Sequence, residues 1–267
     1  MITLFCDLDS TLIYSHRRFL PEPKQVAEYY RGREQSYITE KTLLFLSECR
    51  SLSVVPVTAR TIPQYDRLNL LIRQLNCTYA LVLNGAILLK NGEVDEQWML
   101  ESDIMAQRSK DEMKRVLSLM ERSADAVQVR YCDRFMIYAA AEDPGAVRER
   151  LIREADCTLV TIFSDSRKVY CVPSAFTKGA AAARLTAQIL PELTVAVGDS
   201  ENDLSLLEVA EIPIAPECLG NRIINPNKVL IPDCEVLSDQ ACEVISALLE
   251  QRSEPRSLRD GNGSPFS

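Results

Sequence analysis

The chain has 267 residues, a net charge of −8, nine cysteines and a single histidine, His16. That length suits one large domain, or one with a smaller companion, and 46% hydrophobic with 25% charged residues is globular usage rather than disorder. The negative charge argues against a nucleic-acid partner, which needs a basic face, and one histidine leaves little room for a Ser-His-Asp triad or a His-rich zinc site.

Residues 1–6 read as a short buried strand that ends in acids. Residues 7–33 are expected to form a polar loop with Pro21 and Pro23, then a weak helical stretch. Thr39 caps a predicted helix to about Arg50, with Leu43, Leu44, Leu46 and Leu52 as apolar content. A second strand follows at 53–57, a helix at 62–75, and a third strand at 80–83 stopped by Asn84-Gly85. This alternation signals a parallel sheet covered by helices. The rhythm then changes. Segments 87–90 and 93–98 flank Asn91-Gly92, a strong hairpin signal, and Trp98 is expected in the core of an inserted block. Ser109 and Glu112 suggest a capping box ahead of Met113, Val116, Leu117 and Met120. Strand pairs are predicted at 127–131 with 135–139 and at 159–163 with 168–172, around a helix opened by Asp143-Pro144. The first rhythm returns with a helix capped by Thr177, a strand at 194–197, a helix at 203–210, short strands at 212–215 and 229–231, and a last helix at 238–251.

The predicted fold class is α/β: a doubly wound, Rossmann-like, mostly parallel sheet core made of residues 1–84 and 174–251. An α+β cap domain is inserted at 85–173, and 252–267 is a polar tail expected to be disordered. No two cysteines form a C-x-x-C pair and their number is odd, which suits free thiols in a reducing compartment. No leader pattern opens the chain and no apolar run nears the ~18–20 residues that span a bilayer. A cytoplasmic protein without a membrane partner is expected.

Ligands of an open parallel sheet sit beyond the carboxyl ends of its strands. Four polar clusters fall there: Asp7-Leu8-Asp9-Ser10-Thr11, Thr58-Ala59-Arg60, Thr177-Lys178-Gly179, and Gly198-Asp199-Ser200-Glu201-Asn202-Asp203. Carboxylates converging in a small volume repel one another, so a hard cation with oxygen ligands is implied, with Mg²⁺ the usual choice. A metal-neutralised carboxylate can attack a phosphate while a lysine and hydroxyl donors hold its oxygens. An EF-hand loop is excluded at Asp7, because its sixth position is Leu12 rather than glycine and its twelfth is Arg18 rather than glutamate.

The strings D-L-D-S-T, V-T-A-R, F-T-K-G and G-D-S-E-N-D, in this order, resemble the four motifs of the haloacid dehalogenase superfamily of phosphohydrolases. The inserted block, entered at Asn84-Gly85-Ala86, is similar to the type C2B cap of the Cof-type, sucrose-phosphate phosphatase and mannosyl-3-phosphoglycerate phosphatase branch. The resemblance implies that Asp7 is the nucleophile and that Asp9 is general acid and then base. It implies that Thr58 and Lys178 bind the transferring phosphoryl group, with Ser10, Ala59, Arg60, Asn84 and Asn202 on the substrate and phosphate side. The implied Mg²⁺ set is Asp7, Asp9 through its carbonyl, Asp199 and Asp203. Ser10 and Ala59 stand where many relatives carry glycine. An acid role for Asp9 predicts a raised carboxyl pKa. Among cap cations Arg108, Arg130, Arg134, Arg167 and Lys168, the pair Arg130 and Arg134 is the first choice for reading substrate. The implied activity is Mg²⁺-dependent hydrolysis of a small phosphorylated metabolite, a sugar phosphate first of all. The alternatives are a phosphomutase of the phosphomannomutase type and a non-catalytic binding member of the fold.

Overall fold

A computed structural model describes residues 1–165 and 167–253. The expected tail lies outside the described residues, apart from positions 252 and 253, which extend the last helix.

Strand β1 (Ile2–Cys6) is buried throughout because both its faces are covered. Ile2, Leu4 and Cys6 join one apolar cluster and Phe5 another, the period-two alternation of a central strand. The next segment departs from expectation. Residues 7–33 hold no helix; β2 (Tyr14–Ser15), β3 (Lys24–Tyr30) and β4 (Arg33–Thr39) form a small antiparallel sheet in the order β2-β4-β3. The reason is the turn Arg31-Gly32, both at positive φ, which closes a tight hairpin between tyrosine-rich arms. Helix α1 (Glu40–Glu48) then starts at Thr39, whose Oγ1 accepts from the Thr42 amide at 3.2 Å. After β5 (Leu52–Pro56), the predicted single helix is broken by a 3₁₀ turn into α2 (Ile62–Tyr65) and α3 (Asn69–Gln74).

Strands β6 (Tyr79–Val82), β7 (Ile87–Lys90) and β8 (Glu93–Val94) form a meander whose β7–β8 turn has Asn91 at φ 53° and Gly92 at φ 83°. The predicted arm to Trp98 stops at Val94, because Asp95 accepts from the Trp98 amide at 2.8 Å and opens α4 (Glu96–Gln107). That turn folds α4 back onto the main sheet. Trp98 is therefore not in the core of the inserted block: it packs among Phe5, Val55, Leu81 and Leu185, and its Nε1 donates to the Gly85 carbonyl at 3.0 Å. Helix α5 (Lys110–Glu121) lacks the expected capping box. Ser109 has φ −99° and ψ −2°, outside the extended region of an N-cap, and its hydroxyl donates to the Leu159 carbonyl instead.

Strands β9 (Ala126–Cys132) and β10 (Met136–Ala141), helix α6 (Pro144–Glu154), and strands β11 (Val160–Asp165) and β12 (Lys168–Pro173) complete the inserted block. Its antiparallel sheet runs β11-β12-β10-β9. Met113, Val116 and Met120 of α5 and Val147 and Leu151 of α6 cover one face of it, against Ile137, Ala139, Val169 and Cys171. Helix α7 (Lys178–Ile189), β13 (Leu193–Val197), α8 (Leu204–Val209), β14 (Ile212–Pro216), β15 (Val229–Ile231) and α9 (Leu237–Ser253) return to the main body. The parallel sheet runs β15-β14-β13-β1-β5, and a single parallel bridge between Val57 and Leu81 attaches β6 beyond β5.

Candidate active site

Every polar cluster picked out in the sequence sits at the carboxyl edge of this sheet. Asp7 follows β1 directly, and its amide donates to the Val197 carbonyl at 3.0 Å, which locks the first acid beside the end of β13. The chain then turns on the Leu8 carbonyl, which accepts from the Leu12 and Ile13 amides, and Ser10 takes a left-handed φ of 65°. Lys178 is the first residue of α7, behind the Thr177 cap. Gly179 lets that helix lie close to its neighbour, since a Cβ there would stand 2.0 Å from the Ser205 carbonyl oxygen. Gly198 does the same for Asp203, whose Cβ would be 2.4 Å from an added methyl.

The centre of the site is a buried cation between two acids. Lys178 Nζ lies 2.6 Å from Asp7 Oδ1 and 2.6 Å from Asp203 Oδ1, with only 2% of the lysine side chain exposed. The other oxygen of Asp203 accepts from the Asp199 and Ser200 amides and from the Ser200 hydroxyl. Asp199 Oδ1 accepts from Thr11 Oγ1 at 2.7 Å. Carboxylate oxygens of Asp7, Asp199 and Asp203 lie within 4.8 Å of one another. Three acids against one ammonium leave two negative charges in an all-oxygen donor set, which fits a hard divalent cation. The Asp9 side chain is not part of this group.

Electrostatics divide the acids. Burial, reinforced by Asp203 and Asp199, holds the Asp7 carboxyl well above the usual carboxylate range despite Lys178. Burial pulls the Lys178 pKa down, but Asp203 and Asp7 outweigh it and the ammonium is held firmly charged. Asp9 goes the other way from expectation. Partial loss of water in the cleft would raise the pKa, yet the hydrogen bonds and charge of Arg60 outweigh it and hold the carboxyl below its ordinary value. Arg60 grips Asp9 with Nε to Oδ2 at 2.8 Å and a terminal nitrogen to Oδ1 at 2.7 Å, a two-pronged arrangement. The same terminal nitrogen lies 3.0 Å from Oε2 of Glu28, a β3 carboxylate that is 5% exposed.

A cavity of ≈ 250 Å³ opens above Asp7 and Lys178. Its floor carries Asp9, Ser10, Thr58, Ala59, Arg60, Asp199 and Asn202, all sequence-predicted. Asp203 lies behind Lys178, fully buried, and does not line it. Neither does Asn84, which is 1% exposed and pairs amide to amide with Asn202, 3.1 Å in both directions. Asn84 is thus a strut for Asn202 rather than part of this cavity. Thr58 Oγ1 accepts from the Arg60 amide at 3.1 Å.

The roof comes from the inserted sheet: Met136, Tyr138, Phe163, Lys168 and Tyr170. Arg130 and Arg134 are absent from it, and Arg134 instead pairs with Asp103 at 2.6 Å. Register decides which face of the sheet forms the roof. Met136 and Tyr138, like Lys168 and Tyr170, alternate with Ile137, Val169 and Cys171, which face α5 and α6. That period of two was readable in the sequence for Lys168; Arg130 stands opposite Tyr138 on the same face, on the edge strand β9, yet does not line the cavity. Gln64, Arg67 and the buried Glu28 had no such signal. His16 is exposed, with its ring 3.2 Å from the Gln35 carbonyl, and lies outside the cavity.

Residues 121–224 match the haloacid dehalogenase-like hydrolase family. A comparison with curated proteins finds no match. Among solved structures, the sucrose-phosphatase of Synechocystis sp. PCC6803, determined with sucrose and phosphate, aligns at 17% identity over 93% of this chain and 97% of its own, with a TM-score of 0.62. A subclass IIB sugar phosphatase of the same superfamily aligns at 15% identity over 92% of this chain and 99% of its own, TM-score 0.61. The trehalose-6-phosphate phosphatase of Aspergillus fumigatus aligns at 15% over 91% and 92%, TM-score 0.51. The chain thus shares its fold with these phosphatases over more than nine-tenths of its length, and its residues 121–224 match the haloacid dehalogenase-like hydrolase family.

Proposed function

We propose that the chain is a Mg²⁺-dependent phosphomonoesterase that hydrolyses a small phosphorylated metabolite, a sugar phosphate first of all, through an aspartyl-phosphate on Asp7. The observation that carries this is the Asp7 carboxylate at the floor of a roofed cavity, held 2.6 Å from a buried ammonium. Lys178 takes one Asp7 oxygen and leaves the other to attack phosphorus. The Lys178 ammonium and the Thr58 hydroxyl hold the phosphoryl oxygens as charge develops on them. Asp9, two residues on, gives the leaving alcohol its proton and then takes one from water. Arg60 must release Asp9 for that proton to be carried, since the two-pronged grip keeps the carboxyl ionised. Mg²⁺ would be held by Asp7, Asp199 and the Asp9 carbonyl, with Asp203 in support, and would supply the charge neutralisation that lets a carboxylate meet an anionic ester.

Residues 1–84 and 174–251 act as the catalytic body and 85–173 as the insert, whose sheet excludes bulk water when closed. The neighbours named for sucrose-phosphatase, trehalose-6-phosphate phosphatase and sugar phosphatase support a sugar-phosphate substrate. Nine free thiols suit the cytoplasm, and among the described residues no helix is long and apolar enough to cross a membrane. The test is phosphate release from a panel of phosphorylated metabolites with and without MgCl₂. Asp7→Asn is expected to abolish it; equal release by Asp7→Asn and the parent chain would overturn the reading.

A further inference from the structure

The two ends of the cavity differ in charge. At the phosphoryl end, the surplus of Asp7, Asp199 and Asp203 over Lys178 is two negative charges, which a divalent cation cancels. On the leaving-group side stand Asp9 and Glu28 against Arg60, Arg67 and Lys168. Among these five side chains that leaves one positive charge without a counter-charge.

The cations there are seated rather than loose. Arg67 Nε lies 3.2 Å from Glu28 Oε1, and its guanidinium stacks over Tyr30 at 4.7 Å. Its terminal nitrogens have no hydrogen-bond partner among the described residues, and Arg67 lines the cavity. On the roof, Lys168 Nζ stands 5.1 Å from the centre of the Tyr138 ring and pairs with no described carboxylate. Arg67 on the floor and Lys168 and Tyr138 on the roof line the same cavity. Tyr170 lies 6.0 Å from the Tyr138 ring, tilted 42° to it, and stacks on Phe163 at 4.9 Å, so the three rings form an aromatic shelf along the roof.

Resting on the phosphatase reading, we infer that Arg67 and Lys168 form a subsite for a second anionic group, so that the substrate is a phosphomonoester of an acid, such as a phosphorylated sugar acid, rather than of a neutral sugar. The ester sits at Asp7, the carbon skeleton on the aromatic shelf, and the second anion between guanidinium and ammonium. Glu28 is a positioning residue that fixes the orientation of Arg67.

Two measurements test this. The first compares kcat/KM for matched esters: 6-phosphogluconate against glucose 6-phosphate, and 3-phosphoglycerate against glycerol 3-phosphate. The acidic member is expected to be favoured by about tenfold, and Arg67→Gln or Lys168→Gln to erase that ratio, while Arg108→Gln leaves it alone. The second needs no turnover: calorimetric binding of 3-phosphonopropionate against propylphosphonate with MgCl₂, in the parent chain and in both variants. Tighter binding of the carboxylated phosphonate, lost in the variants, supports the subsite even if no ester in the panel is cleaved. Hydrolysis or binding that ignores the second anion overturns it and leaves the phosphatase reading standing.

Discussion

At the scale of single residues, Lys178 is the group on which most depends. It is a buried cation shared by two acids, so removing it strands two carboxylates rather than one interaction. Breaking a buried pair of this kind costs about 3–5 kcal/mol. Lys178→Met should therefore lower the urea midpoint sharply and stop phosphate release together; a variant of parental stability would show that the cluster is not tightly coupled. Asp7 adds a dependence on pH. Its pKa is raised in the folded chain, so the native state binds the proton more tightly than the unfolded one. Stability of the metal-free protein then falls as pH rises from the ordinary carboxylate value of about 3.9 through the raised one. A divalent cation offsets the charge that appears. The gain in Tm on adding MgCl₂ should thus be larger at about pH 8 than at about pH 5, by differential scanning calorimetry.

Among the elements, α4 shows how a local signal redirects a chain. Asn91-Gly92 predicts a hairpin and the structure has one, but Asp95 captures the Trp98 amide and converts the second arm into a helix. Trp98 then fills the core of the main body, with Arg184 3.6 Å over its ring. Trp98→Ala should cost about 3–5 kcal/mol in unfolding free energy, as expected of a fully buried indole. A loss under about 1 kcal/mol would mean that α4 does not belong to the cooperative core. The sheet β2-β4-β3 gives the opposite lesson. Prolines and charges hid it, because the deciding feature was one turn dipeptide, Arg31-Gly32. Its β3 nevertheless brings Glu28 to the site, where it holds Arg60 and Arg67.

On the scale of the whole molecule, the inserted sheet is tied to the main body next to the chemistry. Arg148 of α6 donates to Glu201 at 2.8 Å, and Arg222 donates to the same oxygen at 2.9 Å. Glu201 lies between Asp199 and Asn202, so this latch joins the roof to the loop that carries the acids. The pair is partly exposed and worth up to about 1 kcal/mol. Arg148→Ala should raise KM by no more than about fivefold, with kcat less affected, because it loosens closure without touching the reacting groups. A fall in kcat alone would place Arg148 in the chemical step instead.

Four short strings and their order picked out the candidate site before any coordinates. Asp7, Lys178, Asp199 and Asp203 stand at strand ends and helix starts, and the parallel sheet gathers such positions whatever the details of packing. The alternation of strands and helices likewise determined the main sheet, since it is a local periodicity repeated along the chain. Only the tertiary structure decided what lies around those acids. Arg60 faces Asp9 and so lowers the pKa that the sequence led one to expect raised. Asn84 holds Asn202 rather than a ligand, Trp98 joins the main core, and Lys168 rather than Arg130 or Arg134 reaches the cavity. Each of these depends on contacts between segments far apart in sequence. No residue type or local spacing encodes such a contact, because the partner arrives only when the chain has closed.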